Sequence, residues 1–288
     1  MVIILSAFIS ILARLPMAFL YWVSDGLYFL VYHVLGYRKK IVRENIAFAF
    51  PEKTKTARDD IERKFYRHLC DVVVESIKLF RISEQELQNR CVLEENSKKM
   101  LERYKAEKKS LVLVSGHCGN WEWVGSAFSI QAPYPLTVSF LEFSSERINA
   151  LLYRMRTRFG TRVISAKEIV KDIIRNKNER MAIGFIADQT PPKIYDAYWT
   201  DFMNRETNVF KGSEQIATKF NYPVLFIHIK KLKRGYYEIS TEILSETPGS
   251  LKPGELTEMH TRMLEKDIRL QPWNWLWSHK RWKHKRNL

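Results

Sequence analysis

The chain has 288 residues, 45% of them hydrophobic and 27% charged, enough to bury one sizeable core or one core with a small appendage. Three widely spaced cysteines, Cys70, Cys91 and Cys118, exclude a disulfide framework and fit a reducing compartment. A formal net charge of +15 is too large for an indifferent solvated surface and points to an anionic partner, either lipid or nucleic acid.

Residues 1–36 are mostly apolar, interrupted by Arg14 and Asp25. The longest charge-free piece, Met1 to Ala13, falls short of the ~18 residues of a clean spanning helix. No basic region precedes it and no A-x-A site closes it, unlike a secretory signal. It reads either as a helix or helical hairpin seated in a membrane, or as a hydrophobic first helix packed on the rest. The basic run Arg38, Lys39, Lys40 and Arg43 favours membrane attachment, because it would lie on the cytoplasmic side. Lipid is then a better partner than nucleic acid, for which no zinc finger, RNP-like sequence or clear helix-turn-helix signal is present.

Thr54 to Phe80 carries Ile61, Phe65, Leu69, Val72, Val73, Ile77 and Phe80 near helical spacing, which predicts one long amphipathic helix. Glu75 inside it reads as a surface or locally paired acid, or as a lining of the site. After Ser110 the pattern changes to alternating strands and helices: strands at 111–115, 135–140, 162–165 and 181–186, helices at 120–130, 145–159 and 167–176. Strands at 223–229 and near 236–243 follow, then a turn-rich connector at 247–254 and a last helix over 256–270. Such alternation predicts an α/β fold with a largely parallel central sheet flanked by helices. Two sections result, a hydrophobic membrane-associated segment over 1–36 and an α/β domain over 37–288.

His117-Cys118-Gly119-Asn120-Trp121-Glu122 leaves the first of these strands. Five helical residues rotate roughly 500°, so His117 and Glu122 cannot share a helix face. His117 is therefore placed in the turn and Glu122 in the first helical turn, where the dipole keeps a carboxylate ionised. Asn120 is a good N-cap type. A histidine steered by a carboxylate suits removal of a proton from a hydroxyl. The competing reading is a turn-capping His117 and a solvated Glu122. The strand-turn-helix context, with glycines at 116 and 119, favours function. Cys118 reads as a small packing residue. The G-x-S-x-G, Walker A, Rossmann and H-E-x-x-H patterns are absent, and no C-x-x-C completes a zinc site.

Met181 to Ile186 runs into Asp188-Gln189 in the same way. In a parallel sheet Asp188 and His117 emerge at the same carboxyl edge. Asp188 otherwise reads as an Asx-turn before Pro191 and Pro192. Arg154, Arg156 and Arg158 form a basic run that could hold a phosphate or be a solvated face.

The combination resembles the bacterial lysophospholipid acyltransferase-like family that includes the late acyltransferases of lipid A biosynthesis. The resemblance covers nearly the whole chain. It rests on Arg43-Glu44-Asn45 with Phe50-Pro51-Glu52, His117 to Glu122, Arg156 to Gly160, Asp188-Gln189, Phe210-Lys211-Gly212, and the tail Pro272 to Trp282. Cys118 stands where the family commonly has an aromatic, and Asn204 near a common Phe-Gly. The resemblance implies an inner-membrane enzyme, on the cytoplasmic face, that moves a fatty acyl chain from an acyl carrier protein thioester to a hydroxyl of a lipid A precursor. It implies His117 as general base with Glu122 as its orienting partner. Asn120, Arg156, Asp188 and Gln189 are the matching candidates for substrate binding, and no cofactor or metal is implied. An acyl-CoA donor with another lysolipid or glycolipid acceptor, and a non-catalytic lipid-binding protein, remain as alternatives. Trp273, Trp275, Trp277 and Trp282 are placed either at a lipid interface or in the core.

Overall fold

The apolar run Leu111–Ser115 (β2) sits at the centre of the molecule, its first four residues buried on both faces. The structure, a computed structural model, describes residues 9–140, 145–191 and 197–286. Around β2 are Cys91–Leu93 (β1), Leu136–Phe140 (β3), Arg162–Ser165 (β4), Ala182–Ile186 (β5), Val224–Lys233 (β8) and Tyr236–Ser245 (β9). They form one seven-stranded sheet in the order β1-β9-β8-β2-β5-β3-β4. Every neighbouring pair is parallel except β8 and β9, which form an antiparallel hairpin. The largely parallel sheet predicted from alternation is present, and its buried strands need helices on both faces.

Those helices are Glu84–Arg90 (α4), Glu95–Ala106 (α5), Trp121–Gln131 (α6), Glu146–Arg156 (α7), Ile169–Arg175 (α8), Gly212–Phe220 (α9) and Glu255–Leu270 (α10). Elements not assigned from sequence include α4, β1, α5 and a separate hairpin of Tyr198–Phe202 (β6) and Arg205–Val209 (β7). A three-residue strand is too short to display a period. The hairpin turns on Met203 (φ 50°) and Asn204 (φ 65°), a two-residue left-handed loop without the Asn-Gly signal that usually announces it.

The predicted amphipathic helix is Lys55–Lys78 (α3), capped by the Thr54 hydroxyl, which accepts from the Ala57 amide. Met17–Tyr28 (α1) continues as a π-helical turn, Phe29–Val34. The chain then bends 89° at Gly36 and Arg38, both at positive φ, into Lys39–Ala49 (α2). One face of α1 packs on α3: Met17 and Leu20 are buried, and the Ser24 hydroxyl donates to Asp71 at 2.8 Å. The other face leaves Phe19 and Trp22 exposed, followed by Phe29, Leu30, Val34 and Leu35.

Among the described residues no single helix is long and apolar enough to cross a membrane. The α1–α2 pair passes such a test jointly, by length and composition. The predicted anchoring segment is thus half core and half exposed apolar surface, and Met1–Phe8 lie outside the described residues.

Candidate active site

The register of two parallel strands assembles the site. Ser115 of β2 lies beside Ile186 of β5, so the residues two further on, His117 and Asp188, leave the sheet side by side. His117 Nδ1 is 2.6 Å from Asp188 Oδ1, and the His117 amide donates to Asp188 Oδ2 at 2.9 Å. The Trp275 indole also donates to Oδ2, at 2.7 Å. The Asp188 side chain is 2% exposed. Burial alone would raise its carboxyl. The His117 charge and the hydrogen bonds from His117 and Trp275 outweigh burial and bring it down to about 2. An ionised carboxylate on Nδ1 fixes the imidazole tautomer that leaves the Nε2 lone pair free.

The sequence reading paired His117 with Glu122, and the structure corrects this. Glu122 sits in the first turn of α6, as predicted, but its two oxygens accept from Arg156 Nε at 2.8 Å and Nη2 at 2.5 Å. A bidentate guanidinium leaves that carboxylate little freedom to serve a second partner. Asp188, first read as either a substrate contact or an Asx-turn, is the carboxylate on the histidine. The geometric reason is that adjacent parallel strands deliver their exits to one place, whereas the Glu122 carboxylate, which lines the same cleft, is held by Arg156.

Asn120 is also relocated. It is fully buried. Its Oδ1 caps α6 by accepting from the Trp123 amide at 3.0 Å, and its Nδ2 donates to Glu75 at 2.8 Å. Both ends are committed, so it positions the turn and offers a substrate nothing. Glu75 is neither a surface acid nor a site lining. It is buried between the Tyr21, Asn120 and Tyr237 donors, and burial raises its carboxyl. Of the basic run, Arg156 holds Glu122, Arg158 donates to the Leu79 carbonyl at 2.8 Å, and Arg154 is exposed.

The tail, read as an interfacial or core element, is core. Trp275, Trp277 and Trp282 are buried. The Leu276 amide donates to the His117 carbonyl at 3.1 Å, and the Gly119 amide to the Asn274 carbonyl at 2.9 Å, so the tail clamps the histidine turn. Gly119 has φ +56°, and a Cβ there would lie 2.6 Å from Ile229 Cγ2, which explains the glycine. Cys118 is buried in this turn and its thiol is pushed well up by burial, the behaviour of a packing residue.

Beside the histidine opens a cleft of about 490 Å³. The cleft-facing side of α3 supplies Leu69, Val72, Val73 and Ile77, and α7 supplies Leu152 and Met155. Gln189, Trp121 and Glu122 also line it. The His117 ring lies edge-on to Trp121, with centroids 5.0 Å apart, and its Nε2 is 3.4 Å from the Gln189 amide nitrogen. Gln189 thus stands beside the Nε2 edge of the His117 ring and lines the cleft. Pro192, next along this segment, lies outside the described residues. Among the described residues no cluster of His, Cys, Asp and Glu could hold a metal ion.

A steered imidazole beside a largely apolar cleft fits transfer of an acyl chain. Comparison with curated proteins finds no significant match. The family model of the bacterial lipid A biosynthesis acyltransferases, however, matches residues 1–284, and the chain belongs to that family.

Proposed function

We propose that the protein transfers a fatty acyl chain from an acyl carrier protein thioester to a hydroxyl of an anionic lipid A precursor, at the cytoplasmic face of the inner membrane. The observation that carries this reading is the His117–Asp188 pair, whose Nε2 lies 3.4 Å from Gln189 on the lining of the apolar cleft. In the proposed reaction Nε2 removes the proton of the acceptor hydroxyl as its oxygen attacks the thioester carbonyl. Asp188 stabilises the imidazolium. The tetrahedral oxyanion collapses, the carbon–sulfur bond breaks, and the departing thiolate takes the proton back from Nε2. An ester and a free thiol result, with no covalent enzyme intermediate. Burial and the raised Cys118 thiol leave that residue out of the reaction.

The exposed face of α1, with Phe19 and Trp22, and the adjoining Arg38, Lys39 and Lys40 support attachment to an anionic bilayer. The net charge of +15 would also draw an acidic carrier protein and a phosphorylated acceptor. The test uses purified full-length protein, an acyl carrier protein thioester or an acyl-CoA, and a lipid A precursor in mixed micelles. Mass spectrometry is expected to detect one added acyl group with the carrier-protein donor, lost in His117→Ala while sedimentation with anionic vesicles persists. Turnover by His117→Ala at the wild-type rate would remove His117 as the base. Transfer from acyl-CoA alone would replace the donor.

A further inference from the structure

The tail carries a cation that the structure places in the core. Arg281 is 2% exposed. Its Nη1 donates to the Thr207 hydroxyl of β7 at 2.7 Å, its guanidinium lies 5.6 Å from the Phe202 ring centre, and its buried Nε has no hydrogen-bond partner. None of these contacts is a counter-charge. A buried cation held this way is costly unless a carboxylate acts on it through space.

That carboxylate is Asp188. Arg281 and Asp188 line the same small internal void, together with His260 of α10, whose buried Nε2 is likewise unpartnered. The void is about 10 Å³, about the volume that holds one water molecule. Burial lowers the guanidinium to about 10, with Asp188 acting in the opposite sense, so the cation persists at neutral pH.

We infer that Arg281 is a positioning residue for the base: a fixed positive charge near Asp188 that keeps the carboxylate ionised and limits how strongly it can stabilise a protonated His117. A carboxylate 2.6 Å from an imidazole, left alone, would favour the charged ring and hold the proton that a base must be free to accept. The guanidinium, which lines the same void as Asp188, opposes this through a low-dielectric interior where fields carry. The other titratable groups around it are His260, on which Glu258 acts, and His279 with Lys283 on its own segment. Burial lowers both histidines to about 4, so at neutral pH they add no charge.

The inference rests on His117 as the base, and its test does not need turnover. Full-length protein labelled on histidine is titrated by NMR in detergent micelles, with the His117 resonance assigned by its loss in His117→Gln. Removing the charge in Arg281→Met is expected to move the His117 protonation midpoint upward by about half a pH unit to one unit. Arg281→Lys is expected to restore it towards the wild-type position. The acid limb of the acyl-transfer pH profile should move with it. An unchanged midpoint in a folded Arg281→Met protein, or a lysine variant that behaves like methionine, overturns the inference and leaves Arg281 a packing residue. If Arg281→Met does not fold, Thr207→Val keeps the charge but removes the bond that aims it. A smaller midpoint displacement is then expected, and none would overturn the inference. Loss of the base assignment would show separately, as turnover by His117→Ala.

Discussion

Asp188→Asn separates the two carboxylates that compete for the role of steering His117. In the native protein Oδ1 meets His117 Nδ1, while Oδ2 accepts from the His117 amide and the Trp275 indole. The asparagine oxygen is expected to keep the second position, where two donors converge. Its NH2 group then faces Nδ1 and donates to it, which forces the proton onto Nε2 and removes the lone pair that takes the substrate proton. A wrong tautomer of this kind costs about 10³–10⁴-fold in kcat, or about 4–5.5 kcal/mol.

Folding suffers less. Lowering the Asp188 carboxyl from 3.8 to about 2 corresponds to about 2 kcal/mol of stability. Because the folded value lies below the unfolded one, that contribution is complete above about pH 4 and is lost as the pH falls through about 2. The variant should therefore be less stable at pH 7, and the gap to wild type should narrow below pH 4. Steady-state transfer in mixed micelles and thermal unfolding at both pH values check this. A kcat within threefold of wild type in Asp188→Asn, with Glu122→Gln inactive, would return the steering role to Glu122 and refute the argument.

Two further outcomes are expected. Glu122→Gln and Arg156→Met each break the bidentate pair, whose side chains are 11% and 22% exposed. Each should destabilise by about 1–3 kcal/mol, with the double variant well short of the sum in chemical unfolding. His260 is buried and its imidazole is lowered to about 4 by burial, so it contributes stability above about pH 6.5 that is lost as the pH falls through about 4. The full effect is about 3 kcal/mol, and His260→Gln should flatten the fall in stability over that range, read by denaturant unfolding at stepped pH.

The local patterns of the chain determined much by themselves. Period-two and unbroken apolar runs marked β2, β3, β4 and β5, because a buried parallel strand must be apolar on both faces. The helical spacing of Ile61 to Phe80 marked α3, and the turn after β2 with its His117, glycines and Asn120 cap was legible because capping and left-handed backbone are short-range chemistry.

What only the tertiary structure decided is who meets whom. Glu122 is five residues from His117 and points to Arg156, while Asp188 is seventy-one residues away and touches it. Strand register, which no local pattern encodes, makes that contact. Composition alone left Trp275, Trp277 and Trp282 between a lipid interface and the core and gave no place to Arg281. They are buried because Leu276 pairs with the His117 turn and draws the whole segment into the core. Charge and hydropathy describe a residue's own preference; the site is set by the few long-range pairings that override it.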